Sequence, residues 1–196
     1  MKHIALLTTL LLSASLQAVE KPYDYVFFEN SLMKGDYFYS QAKYTSPSWI
    51  KNARHHLPVA GSVAFTPGNS LELTYVSAPG GDWYSEIQYC PVRGNDFFRE
   101  PSTLSMQVRL RESMNAAALP NIAIRYADST YTQYLNLRNY LKDTRPGVWH
   151  PVSIPLEDFG LNAVNDTNIK KLAAVALRPG TADGNEYTIY LDDIEL

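Results

Sequence analysis

The chain has 196 residues, is rich in aromatic side chains (14 Tyr, 7 Phe and 3 Trp), and carries 17 basic against 20 acidic residues for a formal charge of -3. Nucleic acid is excluded as a partner, because phosphates are met by clustered Lys and Arg and no basic stripe occurs here. The length predicts one domain of ordinary size, and Cys90, the sole cysteine, excludes an internal disulfide as its staple.

Taken from the start, Lys2, an apolar run from Ile4 to Leu12 and small residues leading to Ala18 predict a signal peptide over residues 1–18. The domain is then residues 19–196, in a secreted or periplasmic protein. The run is shorter than the roughly 20 residues that cross a bilayer, and no other segment is comparably apolar, so no membrane span is expected. Phe28-Glu29-Asn30 belongs to an opening strand, and Ser46-Pro47-Ser48-Trp49 reads as a loop.

Ser70 to Ser77 alternates Leu71, Leu73 and Tyr75 with Glu72, Thr74 and Val76, and Asp82 to Tyr89 follows across Pro79-Gly80-Gly81, which predicts a hairpin. Leu104 to Arg111 is a strand buried on one side, with Leu104, Met106, Val108 and Leu110 inward and Gln107 and Arg109 on the polar face. Asn121 to Ala127, Tyr131 to Leu137, Val148 to Ile154 and Leu172 to Leu177 continue the series, with one turn of helix expected over Asn165 to Lys171. The closing strand, Tyr187 to Leu196, ends on Asp192 and Asp193, which a period of two sets on opposite faces. A carboxylate turned toward a sandwich interior needs a cation or several donors. The count of short strands predicts an all-β sandwich.

Two segments carry a family likeness. Trp149, Ile154, Pro155, Leu156 and Phe159, followed by Tyr190 to Ile194, resemble the galactose-binding-like jelly roll, the superfamily of many carbohydrate-binding modules. Phe28-Glu29-Asn30, Phe65 to Leu71 and Pro79 to Trp83 are similar to its bacterial polysaccharide-associated members, so the likeness covers nearly all of residues 19–196. It implies an exported module that binds carbohydrate without cleaving it and works beside a glycan-active enzyme. It also implies a structural Ca2+ where the first and last strands meet, held by Glu29 and by Asp192 or Asp193, and it assigns Trp83 and Trp149 to packing positions.

Saccharides offer an apolar C–H face for stacking on aromatic rings and hydroxyls for directional hydrogen bonds. The residues that supply both on predicted strands are Tyr84, Glu86, Gln88, Gln107, Arg109 and Arg125, which would form one surface if their strands shared a concave sheet. Trp49 either stacks on a sugar at the rim or plugs the end of the sandwich. Catalysis finds no support in the residues: His55-His56 would point in opposite directions on an extended chain, and no Gly-x-Ser-x-Gly, phosphate-binding loop or His-Glu-x-x-His occurs. Two rivals stay open, a protein-interaction or assembly domain of the same fold and a small polysaccharide lyase or hydrolase.

Overall fold

The computed structural model describes residues 25–29, 31–89, 103–161 and 171–196. The expected signal peptide, Asn30, Cys90 and all but Lys171 of the expected helical turn lie outside the described residues.

Two antiparallel sheets face one another. In the seven-stranded sheet the order is β10 (Trp149–Pro155), β7 (Thr103–Leu110), β12 (Glu186–Glu195), β5 (Ser70–Val76) and β3 (Trp49–Ile50), with β1 (Val26–Phe28) on β12 and β4 (Val59–Ala60) on β5. The five-stranded sheet runs β2 (Ser40–Thr45), β6 (Asp82–Gln88), β11 (Leu172–Arg178), β8 (Asn121–Tyr126) and β9 (Leu135–Asn136). Alternate residues of each long strand fill the space between them, as a period of two requires. Leu104, Met106, Val108 and Leu110 from one sheet meet Trp83, Ile87, Ile122, Ile124, Val175 and Leu177 from the other, all buried. Tyr75 and Trp83 pack at 4.8 Å between ring centroids, and each polar tip is satisfied, by the Ala118 carbonyl and the Ser77 hydroxyl respectively.

The expected hairpin over residues 70–89 does not form. β5 pairs with β12 and β3, whereas β6 pairs with β2 and β11, so the Ala78 to Gly81 connection carries the chain from one sheet to the other. Gly81 makes this crossing possible. A Cβ there would sit 2.7 Å from the Thr45 carbonyl oxygen, 2.8 Å from the Pro47 nitrogen, and closer still to the Ser48 nitrogen.

The period-two expectation for the paired aspartates also fails. The ladder between β12 and β7 shifts register between Asp192 and Glu195, and Asp193 takes a φ of 46°. Such a bulge re-aims side chains, and here both carboxylates meet the same loop. Asp192 accepts the N–H of Phe65 at 2.7 Å and of Thr66 at 3.2 Å, while Asp193 accepts the Thr66 hydroxyl at 2.7 Å.

Candidate glycan-binding face

The outward side of the five-stranded sheet is built on its central strand. In β11, Val175 and Leu177 point into the core, which leaves Ala174, Ala176 and Arg178 outward. Ala176 lies opposite Glu86 of β6 on one side and Ala123 of β8 on the other, and Ala174 lies opposite Gln88 and Arg125. These small side chains leave room for a charged pair to lie flat across the strand: Arg125 Nε donates to Glu86 Oε1 at 2.6 Å, bridging β8 to β6. Glu86 is buried, with 3% of its side chain exposed, and takes a second donor, the Tyr131 hydroxyl, at 3.0 Å. A buried carboxylate with two donors, one of them cationic, has its charge met inside the fold.

Tyrosines surround this pair. The Tyr131 hydroxyl lies 3.4 Å from that of Tyr84, and the Tyr131 ring stacks on Tyr134 at 6.1 Å with an interplanar angle of 27°. The Arg178 guanidinium lies over both Tyr84, at 5.8 Å, and Tyr134, at 5.5 Å, and 3.8 Å from the Asp82 carboxylate. Burial, then the Glu86 carboxylate and Tyr131 hydroxyl, hold the Tyr84 phenol far above its usual titration range, and burial raises that of Tyr134. Both remain neutral hydroxyls at physiological pH. The Arg178 guanidinium is close enough to Tyr134 to draw its phenol back down in part, yet no group among the described residues meets that buried hydroxyl in hydrogen-bond geometry. Ring faces, hydroxyls and a half-exposed guanidinium on one surface are the contacts a saccharide needs.

Tyr84, Glu86, Gln88 and Arg125 therefore come together as expected, with Glu86 and Arg125 supporting the surface from beneath. Gln107 and Arg109 do not join them. They lie on β7, in the other sheet, and face outward on the far side of the sandwich. Trp49 also departs from expectation: it opens β3 at the edge of the seven-stranded sheet, opposite Val76, with Ile50 turned into the core. Trp83 is core, whereas Trp149 alternates with buried His150 and Val152 and so faces outward, half-buried, against Phe65. Three residues were missed. Tyr131 and Tyr134 follow the turn at residues 127–129, Tyr131 bridging back to Arg125, and Arg178 closes β11 before Pro179-Gly180; the alternation of Ala174, Ala176 and Arg178 was the available signal for the last.

Glu29 follows β1, which pairs with β12 through Phe28 and Ile194, so the first and last strands do meet near the expected ion site. The donor set does not fit a cation at Asp192. Three backbone N–H groups, of Phe65, Thr66 and Asp193, already occupy its carboxylate oxygens, whereas calcium is held by a cage of about six to eight oxygens. No group of three or more His, Cys, Asp or Glu side chains that could hold a metal occurs among the described residues.

The chain is similar to known proteins over almost its whole length. The carbohydrate binding domain 30 family matches residues 24–196. Among solved structures, a family 30 carbohydrate-binding module superposes with a TM-score of 0.62 at 18% identity, covering 87% of this chain and 85% of that one. The family 30 module of a cellulosomal cellulase of Clostridium thermocellum gives 0.60 at 17% identity, covering 85% and 95%. A family 11 module from Clostridium thermocellum, in complex with a β-1,3-1,4-mixed-linked tetrasaccharide, gives 0.56 at 12% identity, covering 86% and 94%. At these identities the superpositions establish the shared β-sandwich, and the family match carries the rest: this chain belongs to carbohydrate-binding module family 30 and is a non-catalytic carbohydrate-binding module.

Proposed function

We propose that the module binds an extended, uncharged β-glucan across the outward face of the five-stranded sheet, and that it is exported to direct a glycan-degrading system to that polymer. The carrying observation is the tyrosine cluster: Tyr84, Tyr131 and Tyr134 gathered around Arg178 on one sheet face. Five strands at a spacing of about 4.8 Å give a face about 19 Å across, room for several pyranose units lying across the strands. Arg125 is neutralised by Glu86, and Arg178 is shared between two rings and Asp82, so no unpaired guanidinium here favours an acidic polymer. The mixed-linkage oligosaccharide of the family 11 relative and the cellulase of the family 30 relative support a glucan and an enzyme companion. The basic and apolar composition of residues 1–18 supports export.

The test is binding of the purified protein to a panel of plant, algal and bacterial glycans, with hydrolysis products monitored. Saturable binding to a β-glucan without cleavage is expected. Tyr131→Ala and Tyr134→Ala are each expected to weaken it by about tenfold or more, the loss of a stacking ring, with binding compared on folded protein because Tyr131 also donates to the buried Glu86 carboxylate. Unchanged affinity in both variants would move the site off this face, and silence across all glycans would favour a protein partner.

A further inference from the structure

Beyond the tyrosine face, one arginine carries a buried donor that meets no acceptor among the described residues. Among the described residues the Arg109 side chain on β7 makes no hydrogen bond or ion pair, and its Nε is buried with nothing to donate to. Four carboxylates of the same outward face are already engaged. Glu72 accepts Lys51 Nζ at 2.6 Å, Asp192 accepts the Phe65 and Thr66 amides, Asp193 accepts the Thr66 hydroxyl, and Glu112 accepts the Thr188 amide at 2.8 Å. Removing a guanidinium N–H from water without an acceptor is costly, and a ligand acceptor would return that cost.

The surroundings of Arg109 indicate what such a ligand would look like. Directly opposite it in the ladder stand Trp149 on β10 and Tyr190 on β12. All three point away from the core, because Val108, Leu110, His150, Ile189 and Leu191 take the inward positions. Phe65 packs edge-on against Trp149, with centroids 6.0 Å apart, and is still 50% exposed. Its loop is fixed by the Asp192 carboxylate, so the aromatic wall is set before any ligand arrives. Gln107 adds an amide two residues along the same strand face.

We infer that this face is a second saccharide site, selective for a uronic acid unit, with the sugar carboxylate accepted by the Arg109 guanidinium and the pyranose ring stacked on Trp149 beside Phe65. A planar, permanently charged fork matches a carboxylate in two parallel hydrogen bonds, and an indole face matches the C–H side of a pyranose. The inference rests on the carbohydrate-binding identity for the saccharide nature of the ligand. It does not rest on the tyrosine face being the glucan site, where the corresponding arginines are already paired.

Affinity electrophoresis and calorimetry of the whole protein with polygalacturonate, glucuronoxylan and a neutral mixed-linkage β-glucan, at about 50 mM and about 500 mM NaCl, test it. Uronate binding should weaken at high salt. It should fall by about tenfold or more in Arg109→Ala and also in Arg109→Lys, which keeps charge and stem but loses the fork. Neutral-glucan binding should be unchanged in both, and Tyr131→Ala should show the reverse pattern. Arg109→Lys, checked by its melting temperature, serves if the alanine variant does not fold. No uronate binding by the native protein, uronate binding that both Arg109 variants retain, or loss through Tyr131→Ala instead would each overturn the inference. Arg109-dependent capture of an acidic peptide as tightly as of the uronates would overturn its saccharide part. Uronate binding lost through Arg109 in a protein that ignores neutral glucan would sustain it while removing the glucan proposal.

Discussion

Replacing Arg125 by Ala should cost far more than the loss of a surface ion pair, and the size follows from where the pair sits. Glu86 and Arg125 expose 3% and 16% of their side chains, and Nε and Oε1 are 2.6 Å apart over the alanines of β11. In Arg125→Ala the carboxylate keeps the Tyr131 hydroxyl but loses its cation, and water cannot reach it freely while Tyr131 covers it. Breaking a buried pair on one side costs about 3–5 kcal/mol, against about 0–1 kcal/mol for exposed pairs. Because Arg125 is not wholly buried, about 3 kcal/mol is expected. Lys51–Glu72, with Lys51 52% exposed, is the internal control: Lys51→Ala should cost under about 1 kcal/mol. Urea unfolding at pH 7 measures both. The double variant Glu86→Leu/Arg125→Met should recover most of the loss, since a neutral pair leaves no charge stranded. A cost below about 1 kcal/mol for Arg125→Ala, or a double variant worse than the single, would refute the view that the pair is a buried, mutually dependent unit.

Gly81→Ala should destabilise by about 1–3 kcal/mol or more, because its Cβ would press on the Thr45–Ser48 backbone rather than on movable side chains; thermal melting measures this. Asp192 predicts a pH effect: burial, opposed by the loop amides, pushes its carboxyl up to about 6, above the unfolded value of about 3.9. Its proton is thus bound more tightly in the folded state, so its contribution favours folding below about pH 4 and is lost as pH rises through 6. The difference is about 3 kcal/mol at most. Asp192→Asn should remove that part of the slope between pH 4 and 7, and parallel stability curves for the two proteins would refute the assignment. Asp36, held low by Arg54, works in the opposite sense, losing stability as pH falls below the ordinary carboxylate range. Finally, a chelator should leave the melting curve unmoved, since amides rather than a cation occupy the Asp192 oxygens; a lowered melting temperature would restore the ion.

The fold was legible where a strand is buried on one side only. β7 shows Leu104, Met106, Val108 and Leu110 against Ser105, Gln107 and Arg109, and that alternation gives its position within a residue. β2, Ser40–Thr45, was invisible because it is an edge strand whose second half is exposed, so few apolar residues mark its period. The hairpin over residues 70–89 went wrong for a related reason. Pro-Gly-Gly between two alternating runs signals a reversal, but nothing local says whether the returning strand pairs with its neighbour or arches over the core. That choice was made by β12, which occupies the ladder beside β5 with six residues in register.

The site was less legible, because its function depends on neighbours across strands rather than along the chain. Tyr84, Glu86 and Gln88 share a strand and were found together; Gln107 and Arg109 look the same by composition yet lie on the opposite side of the molecule. The distinction is energetic as well as geometric. Arg125 has a buried carboxylate across the alanines of β11, so its charge serves the fold, while Arg109 faces Trp149 and Tyr190, so its charge has no internal use. Two arginines on one-sided strands therefore have opposite roles, and the difference is made by residues 39 to 81 positions away. Moving the partner should move the role: Ala176→Glu, placed between Glu86 and Arg125, should crowd the pair with a second carboxylate. Like charges that close destabilise, so Ala176→Glu should lose more stability than the isosteric Ala176→Gln at pH 7, and the gap should narrow as the buffer is acidified. An equal loss in both would mean that volume alone, rather than charge pairing across β11, governs this face.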